Sequence, residues 1–328
     1  MRLLARVLLA AACISVLLPL TSLAQGGPPF RTDDPETPGN LRAEINVGFT
    51  GDRGASTGTY GLPEIDANLG LGRRGQLRYI LPLAVAETRQ LPASGTFPGQ
   101  NERLLGGLGE SLIGLKYRFY EHERGGRWLG IGPKPERKAD GPQEATPEPQ
   151  SEEDEPGATL SASLFPQLIL NNPTNSVARG IVPPGPDFLL PIELSGRIGW
   201  LRWNGEAGYH FANSHLAQSW IRGLVVGREF TPRTEAYLEL YDIQDANRID
   251  GAPKQRETTL ALGGRQALNA HRTVVVLLMG GRSFEGVSTA STQPGWIAYA
   301  GLRFLIGPIG AGEKLALEVG QKQPGEER

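Results

Sequence analysis

Residues 201–211 read LRWNGEAGYHF, and they alternate. Leu201, Trp203, Ala207, Tyr209 and Phe211 fall on one face, Arg202, Asn204, Glu206 and His210 on the other. Successive side chains of an extended strand point to opposite sides, so a period of two marks a strand with one apolar and one polar face. Trp203 and Phe211 lie near the two ends of the apolar face. Eight residues at about 3.3 Å each, tilted by about 40°, span roughly 20 Å. That approaches the roughly 25 Å between the two aromatic girdles of a membrane β-barrel.

The same alternation recurs along the chain in segments of about ten residues. LRAEINVGF at 41–49 sends Leu41, Ala43, Ile45, Val47 and Phe49 one way, and Arg42, Glu44, Asn46 and Gly48 the other. PEIDANLGL, QLRYILPLAV, SLIGLKYRF, ATLSASLFPQL and LLPIELSGRIGW follow, then TEAYLELY, ETTLALGGRQ and WIAYAGLRF. WIRGLVVGREF at 220–230 and TVVVLLMGG at 273–281 also read as strands, but their phase stays open. The set makes twelve strands. Their connections alternate in length: tight near 73–75, 199, 232–233 and 270–272, and long near 50–61, 88–109, 171–187, 212–219, 246–256 and 285–295. An even strand count with short turns at one rim and long loops at the other describes an all-β, up-and-down, antiparallel transmembrane barrel.

Twelve strands enclose more space than the side chains of a roughly eight-strand barrel can fill, so apolar residues pointing inward would line a void. The apolar face is therefore expected outside, against lipid. Phe49, Phe119, Trp203, Phe211, Trp220, Phe230, Trp296 and Phe304 are its candidate membrane-interface aromatics. The polar face is expected to line a wet bore. Its candidate lining bases are Arg42, Arg78, Lys116, Arg118, Arg197, Arg202, Arg265 and Arg303. The acids are Glu44, Glu64, Asp66, Glu193, Glu206, Glu235 and Glu239. Glu64 or Asp66 should lie near Arg78 on the next strand. Two readings stay open: a polar constriction that sorts small hydrophilic solutes, or pairs that neutralise one another and close a narrow bore. Near-balance of sign argues against a dedicated anion channel. Lys116→Glu or Arg118→Glu should shift any ion selectivity toward cations.

Outside the strands, residues 1–24 carry Arg2 and Arg6 ahead of an apolar run and end in small residues, as a secretory signal does. The only cysteine, Cys13, falls within it, leaving the exported chain without thiol or disulfide chemistry. The formal charge of −2 becomes about −4 without the two signal arginines, which gives nucleic acid no footing. Residues 25–40 read as a periplasmic lead-in, with TDDP forming an Asp-capped turn. The barrel is expected over 41–306. Within it, 133–156 hold eight acids, three bases and six prolines, the composition of a disordered segment on the periplasmic side and a possible partner site. Residues 307–328 read as a periplasmic tail.

Four segments carry a resemblance: PPFRTDDPETPG, LPEIDANLGLGRRGQLRYILPLA, GLGESLIGLKYRF and WIRGLVVGREFTPRTEAYLELYD. In this order they resemble the Gram-negative outer-membrane β-barrel family labelled meta-pathway phenol degradation, often described as transporters. The likeness runs from about Pro28 to Phe304; the acidic insert and the tail depart from it. It implies location in the outer membrane and passage of small molecules, aromatic compounds among them. It supplies no set of functional residues. The last strand, WIAYAGLRF, resembles the recognition strand read by barrel-assembly machinery, which with outer-membrane lipid completes the expected partners; the solute is unknown. A charged bore sits poorly with an aromatic cargo, which favours an apolar path. A structural or partner-recruiting barrel with a closed bore is the alternative. An outer-membrane hydrolase is the remote one, resting on Ser214 and His215 without a third group to orient a base. The chain is therefore read as no enzyme. No cofactor is implied, and the four histidines, His122, His210, His215 and His271, show no metal-ligand spacing.

Overall fold

The computed structural model describes residues 27–54, 57–89, 102–122, 127–128, 159–198, 200–212, 218–247, 254–287 and 293–307. The signal segment, the acidic insert, the tail beyond 307, and Ser214 with His215 lie outside the described residues. In chain order the strands are β1 Ala43–Arg53, β2 Thr57–Leu71, β3 Gly75–Arg89, β4 Glu102–Leu108, β5 Glu110–Glu121 and β6 Arg127–Trp128. Then come β7 Thr159–Leu164, β8 Gln167–Asn171, β9 Asp187–Ile198, β10 Leu201–Phe211 and β11 Ser219–Thr231. The last five are β12 Thr234–Asp245, β13 Gln255–Ala267, β14 Val274–Val287, β15 Gln293–Pro294 and β16 Trp296–Ile306.

β4 and β5 occupy one wall position, broken at Gly109, and β7 and β8 another, broken at Phe165 and Pro166. β6 and β15 are two-residue pieces. What remains is a closed antiparallel barrel of twelve strands, as the alternation requires, sealed where β1 pairs β16 from Ala43↔Ile306 to Arg53↔Trp296. Closure removes both sheet edges, the one arrangement that lets strands cross hydrocarbon with every backbone group paired.

The connections alternate as expected, with one exception. The short connections from β2 to β3, β9 to β10, β11 to β12 and β13 to β14 define one rim; the longer links join strand ends at the other. The segment 50–61, expected as a long loop, is instead strand on both sides of a three-residue link at 54–56. Its glycines misled the reading because they serve packing. Trp296 lies so close over Gly51 that a Cβ there would come within 2.9 Å of its ring.

Burial follows the alternation. Phe49, Leu69, Leu77, Leu115, Ile192, Leu224, Leu240 and Leu260 are exposed on the outer face. Glu44, Asn46, Asp66, Lys116, Glu193 and Arg202 are buried within. The two strands of open phase resolve by what they bury. β11 turns Ile221 and Val225 inward, and β14 turns Val275, Leu277 and Met279 inward.

Candidate functional site: an occupied lumen

Residues 27–38 do not form a lead-in below the wall. They lie inside the barrel, with Phe30, Thr32, Asp33 and Asp34 buried. The correction has a physical reason already present in the width argument: a bore too wide for wall side chains needs other atoms to fill it. The segment rises and returns. Arg31 pairs with Asp52 and Glu257 near the long-loop rim, and Thr37 donates to the Arg73 carbonyl at the short-turn rim. Gly39, with φ of 89°, then turns the chain out of the bore into β1, a left-handed conformation that glycine adopts without strain.

Asp33 is the centre of the contact. Its carboxylate pairs with Lys116 Nζ at 3.0 Å and Arg78 Nη1 at 2.5 Å. The Asp33 backbone N–H donates to Glu206 Oε2 at 3.0 Å, and that of Thr32 donates to Glu239 Oε1 at 2.7 Å. Lys116 also donates to the Asp34 carbonyl and pairs with Glu193 at 3.1 Å, which accepts from Ser163 Oγ at 2.5 Å. Arg78 binds Asp66 through two parallel N–H donors at 2.9 and 2.8 Å, the arrangement expected from the sequence, while Glu64 stands half-buried beside it. Phe165, carried inward at the break between β7 and β8, places its ring 4.7 Å from the Lys116 ammonium. Such a buried, charge-assisted network is strong only while complete, because each cation left behind would lack a partner. TDDP does form the Asp-capped turn expected: Asp33 Oδ1 accepts from the Asp34 N–H and Asp34 Oδ1 from the Glu36 N–H, each at 2.9 Å.

The other lining candidates also point inward. Arg303 pairs with Glu44 at 3.3 Å and donates to the Pro28 carbonyl at 3.1 Å; Arg265 donates to the Gly27 and Pro28 carbonyls. Glu235 accepts from Tyr237 Oη at 2.7 Å, and Arg202 pairs with Glu229 at 3.0 Å. Arg197 lies opposite Arg202 in the ladder. Arg42 and Arg118 sit at the short-turn rim, Arg118 against Glu121 at 3.2 Å and the Arg73 carbonyl at 2.8 Å. The charges thus pair with one another and with the inserted segment. A small polar cavity remains among Asp34, Glu36, Glu44, Gln76, Arg78 and Lys116.

The lumen is not uniformly charged, as the alternation had implied. Phe30 packs in a cluster with Val225, Tyr237, Ala261, Val275, Leu277, Met279, Ile297 and Tyr299, an apolar patch among the inward charges of β12, β13 and β16. Tyr299 lies flat across Gly48 and Gly301, where any Cβ would meet its ring within 2.8 Å. At the long-loop mouth Ile181 and Val182 fold in against Ala84, Ala86 and Leu105. The signal for this patch was the apolar residues on both phases of 220–230 and 273–284.

The aromatics of the outer face follow their phase. Phe49, Phe211, Trp220 and Phe230 are exposed, while Phe119, Trp203, Trp296 and Phe304 are half-buried against wall neighbours. Tyr209 bridges Phe211 and Trp220 with edge contacts at 4.7 and 4.6 Å.

Among solved structures, the chain is similar to a COG4313 outer membrane channel from Pseudomonas putida F1, at 11% identity and a TM-score of 0.52, over 83% of this chain and 98% of that one. It also aligns with the translocator domain of the autotransporter NalP from Neisseria meningitidis, at 8% identity and a TM-score of 0.44, over 81% and 88% of the two chains. The β domain of the Bordetella autotransporter BrkA aligns at 14% and 0.42, over 81% and 99%. The first likeness shows the fold; the other two carry nothing further. No family model and no curated protein matches the sequence.

Proposed function

We propose that the chain is an outer-membrane channel for small molecules whose bore is held shut by its own residues 27–38 and opens when they move. The observation that carries this is the Asp33 latch inside a barrel too wide to fill itself. A wall whose outer face is a continuous apolar belt needs hydrocarbon around it, which supports location in the bacterial outer membrane. The resemblance to the phenol-degradation family and the apolar patch of the lumen together favour weakly polar, aromatic cargo. Such cargo would slide along the Phe30 patch while the charged groups stay paired to the segment. WIAYAGLRF, as β16, then serves assembly machinery, and residues 133–156, between two strands that meet the short-turn rim, are free to engage a periplasmic partner.

Planar-bilayer recording of residues 25–328 tests the reading, with liposome uptake of a phenol against a charged solute of equal size. Deleting residues 27–38 should raise conductance at least tenfold and admit the phenol. A barrel that is still silent, yet folded by its heat-dependent gel shift, would establish the closed structural barrel instead. That second reading has one observation in its favour, the pairing of the lumen charges with one another and with residues 27–38.

A further inference from the structure

On the outer face at the long-loop rim, the strands carry a charge arrangement that the channel reading does not use. Arg222 on β11, Asp242 on β12 and Thr258 on β13 lie in one ladder row, and Arg256 lies two residues nearer the rim, opposite Gln244. All have the outward phase of Leu224, Leu240 and Leu260. Asp242 is buried between two arginines: Arg256 Nε donates to its Oδ1 at 2.6 Å, and Arg222 Nη1 lies 3.6 Å from its Oδ2. Yet the arginine side chains are 53% and 57% exposed. One carboxylate thus orients two guanidinium groups and leaves a net positive charge facing away from the barrel. Elsewhere at this rim the balance differs, for Arg53 is matched by Glu87 at 3.0 Å.

What lies below the arginines is as specific. Leu224, Leu240 and Leu260 form a single row directly beneath Asp242, and Leu238 and Leu262 continue it, all exposed. Trp220, exposed at the Arg256 level, marks the interface between that apolar bed and water. Arg282 on β14 ends the leucine row and adds a third outward cation. Planar guanidinium groups match phosphate oxygens two at a time, and basic clusters at the membrane edge of apolar surface bind anionic lipid headgroups.

We propose that the outer face of β11 to β14 is a binding site for a phosphorylated, multiply acylated glycolipid of the outer leaflet. Its phosphate sits between Arg222 and Arg256, and its acyl chains lie along the leucine rows. Asp242 is a positioning residue, holding both forks toward the phosphate without touching it. The site is separate from the lumen and needs no movement of residues 27–38.

Native mass spectrometry of the folded full-length mature barrel, offered bis-phosphoryl lipid A in detergent, tests this directly. Wild type should retain one lipid A, and Arg222→Ala/Arg256→Ala at least tenfold less, with an unchanged heat-dependent gel shift. Dephosphorylated lipid A of the same acylation should be retained as poorly by wild type. Inorganic phosphate at millimolar concentration should not displace the lipid, since the acyl bed contributes. Equal retention of the two lipids by wild type overturns the proposal even if the variant does not fold. Displacement by phosphate alone overturns the lipid in favour of a simple anion site. Bilayer conductance is read separately, so a silent channel that still holds lipid A leaves this site standing and counts only against the channel reading.

Discussion

At the residue scale the lumen depends on one carboxylate. Asp33 joins two wall cations, and removing its charge leaves Lys116 and Arg78 buried with less compensation, a loss of about 3–5 kcal/mol for a broken buried pair. Asp33→Asn should therefore free residues 27–38 while the ladder hydrogen bonds keep the barrel closed. A cysteine placed at buried Thr32 reports this, since residues 25–328 hold none of their own. Thr32→Cys should react slowly with a thiol reagent, and many times faster once Asp33→Asn is added; equal rates would sink the latch. Proton linkage follows from the same turn. Burial would raise Asp33, but Lys116 and Arg78 outweigh it and hold the carboxyl below its usual range. That contribution to docking is complete above the free value of about 3.9 and is lost only as pH falls further. Asp34 is different: burial, with the Asp33 charge adding and Lys116 opposing, pushes it up to about 6. Burial and the Asp34 charge likewise push Glu36 up to about 8. The docked segment then keeps protons that the free one releases, so docking weakens as pH rises from about 4 toward these values, by up to about 1.4 kcal/mol per unit for each group. Open probability in a bilayer should be lowest near pH 4 and climb toward 8. In Asp34→Asn/Glu36→Gln the climb should be shallower.

At the scale of elements, the strands divide by what they face. Charged groups of β1, β3, β5, β10, β12, β13 and β16 hold the inserted segment, and apolar residues of β11 to β14 and β16 seat Phe30. Leu277, fully buried on β14, belongs to that seat. Leu277→Ala should cost about 2–5 kcal/mol locally and raise Thr32→Cys labelling without changing the heat-dependent gel shift. The two cations read from the sequence as selectivity determinants now separate. Arg118 sits at the short-turn rim, so Arg118→Glu should move the reversal potential toward cation preference. Lys116→Glu should instead raise conductance, because it sets a third acid against Asp33 and Glu193; a selectivity change without a conductance change would contradict the latch.

At the scale of the whole molecule, the outer belt and the filled lumen answer opposite demands. Lipid requires apolar atoms outside and complete backbone pairing, which closure provides. The interior must pair its buried charges, which the segment at 27–38 achieves by supplying acids, carbonyls and one aromatic ring to matching parts of the wall. Cutting 133–156 to a short link should leave folding and conductance intact, since both flanking strands pair without it; loss of the heat-dependent gel shift in that deletion would show that the barrel needs the insert.

Alternation determined the strand number and the outward apolar face, because period two is a local consequence of strand geometry, and the lengths of the connections set the two rims. Asp66 beside Arg78 was legible for the same reason, since neighbouring strands bring nearby sequence together. Three things were decided only in three dimensions. The phase of 220–230 and 273–284 depended on what lay across the bore, for apolar residues fall on both phases of each strand. The glycines of 50–61 look like loop residues, yet Gly51, Gly58 and Gly61 lie in β1 and β2, where Trp296, far along the chain, packs on Gly51. The place of residues 27–38 depended on Lys116, Glu206, Glu239 and Arg303 converging from different strands. A segment without periodicity gives no local sign of being buried, and its partners are set by the closure of the barrel around it.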